Sequence, residues 1–330
     1  MRLSAFSVVD AYPGAPAAED RVREVVALAE SAEAGGLASL WIAEHHFQPA
    51  GVCPAPPVVL AACGARTRRL RLGVLVSVLP FHRPIELAEQ YAVLDRLIGG
   101  RLNLGVGSGY IALEFEGFGI DPATKRERFE SALATLLDAF AGRPVRADAP
   151  GATPVTINVR PVQAPHPPIW IAVQRREAIP FVARAGRSIA LIPYATVAGI
   201  DELAAEIREY RAAQPDGARG EVAVAVHVYA GDRPDRARAA LQRYLDSRLA
   251  TQSAFYQEKV RRDPRHATAA AIEASGFAPI GTPAEVADAL AAFEAAGVDE
   301  LLGIFDFGGL APAEVDRSVR ALGAAWAARP

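Results

Sequence analysis

The sequence predicts an α/β protein folded as a single (β/α)8 TIM barrel with insertions after strands 4 and 7. Three observations carry this. Eight short apolar runs alternate with eight longer stripes of helical period. The runs are nearly continuous rather than alternating, the pattern of parallel strands covered on both faces. The 330 residues hold the ~250 usual for such a barrel, and the surplus falls in excursions within one 1–330 unit. On pattern alone a doubly wound open sheet gives a similar alternation and stays open as the alternative.

In order, Leu3 to Val9 reads as the first strand, and Glu19 to Ala34 as a helix with Val22, Val25, Val26 and Ala29 on one face, closed by Gly35-Gly36. Leu37 to Ala43 is a buried strand stopping at Glu44-His45-His46. After a Pro- and Gly-rich loop, Pro49 to Pro57, Val58 to Arg66 reads as helical. Leu70 to Val78 is strand three. Pro84 to Ile98 is a helix with Leu87, Tyr91, Leu94 and Ile98 at helical spacing, and Arg101 to Val106 is strand four. A long loop, Gly107 to Asp121, leads to Pro122 and a helix striped by Phe129, Leu133, Leu136 and Phe140. Residues 110–121, 143–167 and 233–277 read as excursions, the last polar and helical. Between them lie strands Ile169 to Val173, Ile189 to Ile192 and Val222 to Tyr229, with helices Glu177 to Ala185 and Asp201 to Ala213. Thr282-Pro283-Ala284-Glu285 is a capping box. Leu301 to Phe305 is strand eight and Glu314 to Trp326 the last helix.

Composition narrows the function. With 35 Lys+Arg against 38 Asp+Glu, 51% hydrophobic and 22% charged residues, the chain has an ordinary globular balance and no electrostatic footprint for nucleic acid or an anionic membrane. Cys53 and Cys63 cannot build a disulfide framework or a metal knuckle. The start shows no secretory signal, and the longest apolar stretch, Leu70 to Phe81, is far short of the ~20 residues of a membrane helix. A cytoplasmic protein is expected.

Functional groups of such a barrel gather at the C-terminal strand ends. There, Trp41-Ile42-Ala43-Glu44-His45-His46-Phe47 brings two imidazoles and a carboxylate together. Alternation lets at most one histidine face the axis directly unless the strand has already ended; a histidine there can act as a base near neutral pH, or both can simply cap the barrel. The spacing does not suit a metal, although His227 in strand seven adds a conceivable ligand. Gly105-Val106-Gly107-Ser108-Gly109-Tyr110 permits close backbone approach or an anion, but is not a dinucleotide fingerprint. Gln174-Arg175-Arg176 reads as a phosphate clamp or as a solvated basic pair. In Lys125-Arg126-Glu127-Arg128 the solvated reading prevails when the run is taken alone. Phe305-Asp306-Phe307-Gly308-Gly309 is a further pocket candidate. Tyr110, Phe115, Phe118, Phe255 and Tyr256 suit an apolar ligand and suit core packing equally.

Several of these runs together resemble the bacterial luciferase-like flavin monooxygenases: Glu44-His45-His46-Phe47, Leu79-Pro80-Phe81-His82-Arg83-Pro84-Ile85-Glu86-Leu87-Ala88-Glu89, Gly100-Arg101-Leu102-Asn103-Leu104-Gly105-Val106-Gly107, Phe115-Glu116-Gly117-Phe118-Gly119-Ile120-Asp121 and Pro168-Ile169-Trp170-Ile171-Ala172. The likeness is clear over residues 1–195 and looser beyond. It implies a barrel binding reduced FMN at its mouth, as a homodimer through the helices after strands two and three. It implies His45 as base or proton manager, with Glu44 supporting from beneath and His46 beside it. Leu75, Val76 and Ser77 match the stretch behind the isoalloxazine ring, where a non-prolyl cis peptide often lies. Gly107, Ser108, Arg126, Gln174 and Arg175 match the phosphate segments, and Tyr110 a cover for the ring. Ser108 stands where luciferase has an arginine, and Gln174-Arg175 where it has a Glu-Ser pair.

The resemblance implies a two-component monooxygenase. A separate flavin reductase supplies reduced FMN, O2 forms a C4a-(hydro)peroxide, and a small, largely apolar substrate is oxygenated. Other readings are an F420-dependent hydride-transfer enzyme, a non-catalytic flavin-binding protein and a metal-dependent hydrolase.

Overall fold

In a computed structural model, residues 1–12, 18–48, 51–147, 151–193, 197–251, 257, 260–261 and 263–329 are described. Among these described residues, ten strands occur in the order β1 (Arg2–Ser7), β2 (Ser39–Ile42), β3 (Arg71–Val78), β4 (Leu102–Gly107), β5 (Ile169–Val173), β6 (Ser188–Leu191), β7 (Val222–His227), β8 (Tyr229–Ala230), β9 (Ile280–Gly281) and β10 (Glu300–Ile304). Eight of them close into a parallel barrel, ordered β1-β10-β7-β6-β5-β4-β3-β2; β8 and β9 form a separate pair. The open-sheet alternative is thereby excluded.

The helices are α1 (Ala18–Ala34), α2 (Pro56–Arg66), α3 (Pro84–Leu97), α4 (Ala112–Gly117), α5 (Lys125–Phe140), α6 (Ile179–Arg184), α7 (Ile200–Ala212), α8 (Pro234–Thr251), α9 (Ala269–Ala274), α10 (Pro283–Ala295) and α11 (Pro312–Ala327). The capping box forms as expected: the Thr282 hydroxyl accepts from the Glu285 amide, and the Glu285 carboxylate accepts from the Thr282 backbone.

The strands are buried along almost their whole length. At the N-terminal end of the barrel, Glu300 accepts from Ser4, Ser39 and the Trp41 indole and pairs with Arg2, so a fully buried carboxylate has its donors. The Trp41 ring fills the space over Gly73, where a Cβ would come within 2.4 Å of it; that strand position needs glycine for packing.

Three expectations are corrected. The first strand ends at Ser7, because Val9 turns the chain with φ of 59°. Strand seven ends at His227, and Tyr229 instead pairs with Ile280 in the small β8–β9 sheet. The Gly107–Asp121 segment is not a plain loop but carries α4, and its tail leads into a single 3-10 turn at Pro122–Thr124 before α5. The polar excursion at 233–277 supplies α8 and α9, helical as expected. Parts of the Pro49 loop, and Phe255 and Tyr256, lie outside the described residues.

Candidate active site

The C-terminal strand ends surround a crater of about 970 Å³, lined from β1 by Phe6, from the end of β2 by Glu44 and His45, from β3 by Leu75 and Val76, and from the β4 turn by Gly107, Ser108 and Tyr110. The β3–β4 pairing shifts register between Val74 and Ser77, and the Leu75–Val76 peptide is cis. Gly107 lies so close to β3 that a Cβ there would meet Val76 Cγ2 at 2.6 Å.

The Glu44-His45-His46 run follows the end of β2 at Ile42, and its two histidines part company there. His45 lines the crater. His46 turns away, among the rings of Phe47, Phe81 and Phe118. Glu44, 2% exposed, accepts from the His46 and His82 rings (3.2 and 2.8 Å), the Ser77 hydroxyl (3.1 Å) and the Val78 amide (3.3 Å). Burial pushes its carboxyl up, but the hydrogen bonds from His46 and His82 outweigh this and hold it at about 2. Ser77 therefore faces Glu44 and, unlike Leu75 and Val76, does not line the crater.

The partner of His45 is a carboxylate the sequence did not single out. Glu114, on α4 and 1% exposed, accepts from His45 Nδ1 and the His46 amide, both at 3.0 Å, and from Gln48 Nε2 at 3.3 Å. An ionised carboxylate only accepts, so the Nδ1–H donates, and in the neutral ring Nε2 is then the acceptor nitrogen. Tyr110 packs edge-on to the His45 ring at 6.3 Å.

On the far rim a basic end forms. Arg175 follows β5; Lys125 and Arg126 open α5; all three line the crater with Ser108 and Gln174. Burial, reinforced by the Arg175 charge, lowers the Lys125 ammonium, whose Nζ also donates to the Gly109 carbonyl at 3.4 Å. Arg126 pairs with Glu130 at 2.8 Å and lies over the Phe181 ring. The expected arginine pair is divided: Arg176 begins a 3-10 turn and reaches away to Glu209 at 2.5 Å. Lys125, read in sequence as one of a solvated run, belongs to the crater.

Two further candidates leave the site. Asp306 is held by the Ser7 hydroxyl and Arg21. His227 is buried between the Tyr244 and Phe307 rings, and burial lowers it to about 3. Phe115 packs into the interior against Phe81, while Phe118 lies half-open on the surface. Among the described residues no group of three or more His, Cys, Asp or Glu side chains could hold a metal ion, and no helix is long and apolar enough to cross a membrane. Residues missed in sequence, Tyr244 and Arg248 of α8, complete the crater wall.

A family model described as luciferase-like monooxygenase matches residues 1–300. Over 320 residues the chain is 26% identical to the oxygenase component of flavin-dependent trigonelline monooxygenase from Acinetobacter baylyi, covering 91% of this chain and 88% of that one. Among solved structures, monooxygenase RslO1 from Streptomyces bottropensis superposes with a TM-score of 0.77 at 25% identity, covering 98% of both chains. The coenzyme F420 dependent tetrahydromethanopterin reductase of Methanopyrus kandleri shares the fold, with a TM-score of 0.71 at 16% identity over 98% of this chain and 97% of that one. The chain spans about half the length of two curated Sinorhizobium fredii relatives it matches, at 39% and 34% identity. With the barrel, the crater and the strand-end histidine in place, the match over residues 1–300 is decisive: this chain belongs to the luciferase-like monooxygenase family.

Proposed function

We propose that the crater binds reduced FMN and that the chain is the oxygenase component of a two-component flavin-dependent monooxygenase, acting on a small, largely apolar substrate. The observation that carries this is one crater presenting His45, oriented by a buried carboxylate, and a cluster of three cations three strands further round the barrel.

The residues present fit the cofactor. A crater of about 970 Å³ sits at the upper end of the range for small-molecule sites, about 300–1,000 Å³. Leu75 and Val76 give a flat apolar wall for the ring, and glycine at 107 keeps Val76 in place. Lys125, Arg126 and Arg175, with the Ser108 hydroxyl, suit the phosphate dianion. When bound, reduced FMN supplies the electrons that activate O2. The chain's own tasks are then to bind and orient the ring, exclude water and manage a proton. Glu114 fixes the His45 ring so that Nε2 accepts that proton, the geometry of a general base. Glu44 ties β2 to β3 and thereby fixes where His45 leaves the strand. Reduced FMN implies a reductase as transient partner. Exposed Val58 on α2 and Val93 and Leu97 on α3 support a homodimer through those helices.

Anaerobic titration with reduced FMN, oxidised FMN and reduced F420 tests the cofactor. Oxygen uptake and product mass with enzymatically supplied reduced FMN test the reaction. Reduced FMN binding and oxygen incorporation are expected; tight F420 binding with no oxygen uptake would replace this reading with the hydride-transfer one.

A further inference from the structure

The chain that leaves His45 turns back onto it. The His45 amide donates to the Cys53 carbonyl at 3.2 Å. Two residues before Cys53, Gly51 is buried with φ of 140°, a backbone state suited to glycine. Its Cα lies directly against the imidazole: a Cβ there would come within 2.5 Å of His45 Cβ and Cδ2 and 2.7 Å of Cγ. Gly36, Gly99 and Gly119 also have positive φ, but a Cβ on any of them would meet nothing within 4 Å. Those three serve their turns, whereas Gly51 also serves a neighbour. Between Gly51 and Cys53, the Val52 amide donates to the Val9 carbonyl at 3.0 Å. Val9 is itself buried at φ of 59°, and its amide donates to the Ser7 hydroxyl at 3.1 Å. A β-branched residue holds that state only where its surroundings enforce it. The segment over His45 is therefore pinned to the end of β1.

These contacts divide the ring between two holders. Glu114 takes Nδ1 at 3.0 Å, and Gly51 fills the space beside Cβ, Cγ and Cδ2. The ring atoms left over are Cε1 and Nε2, so the nitrogen that can accept a proton is the one left for the crater that His45 lines. A half-turn of the ring would set a carbon against the Glu114 carboxylate and cost that buried acceptor one of its donors. A methyl at position 51 would force the ring or the segment to retreat by about 1 Å, the difference between 2.5 Å and the 3.4 Å at which ordinary contact begins. A misplacement of that size is enough to spoil a proton transfer. We infer that Gly51 is a positioning residue for His45: its bare Cα, pinned through Val52 to the end of β1, closes the side of the imidazole that Glu114 does not hold and keeps Nε2 turned to the crater. The inference rests on the reading of His45 as the base and adds residues 51–53 to the parts that serve it.

The test uses the full chain, isotopically labelled at the histidine nitrogens and followed by NMR, with the His45 signal assigned by its loss in His45→Gln. At a pH above its titration the wild-type ring should carry its proton on Nδ1 alone. In Gly51→Ala that single form should be lost and kcat should fall about 100-fold, while affinity for reduced FMN is retained. A kept Nδ1–H form, or undiminished turnover, in folded Gly51→Ala overturns the inference. Melting temperatures separate the ring from the backbone. His45→Gly removes every atom that the new methyl would meet, so Gly51→Ala should lower the melting temperature less in that background than in the wild type. An equal drop in both means that backbone conformation alone calls for glycine, and overturns the inference. If Gly51→Ala does not fold, the Gly51→Ala/His45→Gly variant decides: a native melt supports the inference, and a double variant equally unfolded overturns it. If the wild type neither binds reduced FMN nor takes up oxygen, the flavin reading fails, and the NMR and melting results still decide whether Gly51 positions the ring.

Discussion

Glu44→Gln removes one charge from the most heavily bonded carboxylate at the barrel mouth and leaves its shape. Glu44 receives four donors, three of them from buried groups. Burial opposes its charge, yet the His46 and His82 contacts hold its carboxyl at about 2 against an ordinary 4.5. A group depressed in the folded state contributes stability that is fully present above its unfolded value and is lost as the pH falls toward the folded one. The difference corresponds to about 3 kcal/mol at neutral pH. A glutamine offers one carbonyl oxygen to the same donors and turns an NH2 group on the rest, so most of this contribution disappears. At roughly 2 °C per kcal/mol for a chain of this size, the variant should melt about 6 °C below the wild type at pH 7. Below pH 4.5 the gap should shrink, falling by about 40% at pH 3.5. Thermal unfolding followed by circular dichroism at each pH gives both curves. A variant melting within a degree of the wild type at pH 7, or a gap undiminished at pH 3.5, refutes the argument that these histidines stabilise the ionised form.

Glu114→Gln exchanges charge-assisted bonds at His45 Nδ1 and the His46 amide for neutral ones and should lower kcat about tenfold with FMN affinity nearly unchanged; product formation and anaerobic titration separate the two. Lys125→Met should weaken FMN binding about 10- to 100-fold and leave riboflavin binding unaltered, because only the phosphate end of the crater loses a cation. Gly107→Ala sets a methyl against Val76 and should push that side chain into the crater, reducing flavin affinity while the far-ultraviolet spectrum stays native. Cys53 and Cys63, both pushed up to about 12 by burial, should resist a thiol reagent at pH 8 in the native protein and react at once in urea.

The barrel was legible because its signals are local. Each strand shows as a buried run, and each helix carries its own stripe and terminus. Glu44, His45 and His46 were found because they stand where a strand stops; only His45 of the two histidines lines the crater, but the strand has already ended at Ile42, so alternation is not the cause. The reading of the arginines failed three strands further round. Arg175 and Arg176 were read together, but the chain leaves its extended path at that point and coils into a 3-10 turn, so the second guanidinium swings to α7. Where the resemblance supplied Ser77 as a cofactor contact, its hydroxyl donates to Glu44 and the residue does not line the crater.

What the sequence hid is held together by contacts that no local pattern encodes. Glu114 is one acid on a six-residue helix inside a glycine- and aromatic-rich segment, and its bond to His45 spans 69 positions. Arg248 meets Asp10 across 238 positions, from an excursion read in sequence only as polar and helical. Lys125 was hidden by its neighbours, since a basic run on a helix is usually exposed and only its first two residues, at the helix start, line the crater. These residues share an origin in the segments that rise above the strands rather than in the strands themselves. The barrel therefore fixes where His45 stands, while α4 and α5 decide which way its ring is turned and what charge faces it across the crater. Two carboxylates bracket the histidine with different tasks: Glu44 holds the backbone through β3, and Glu114 holds the imidazole. Loss of the first should appear in the melting curve, and loss of the second in the turnover of a protein that still melts near the wild-type temperature.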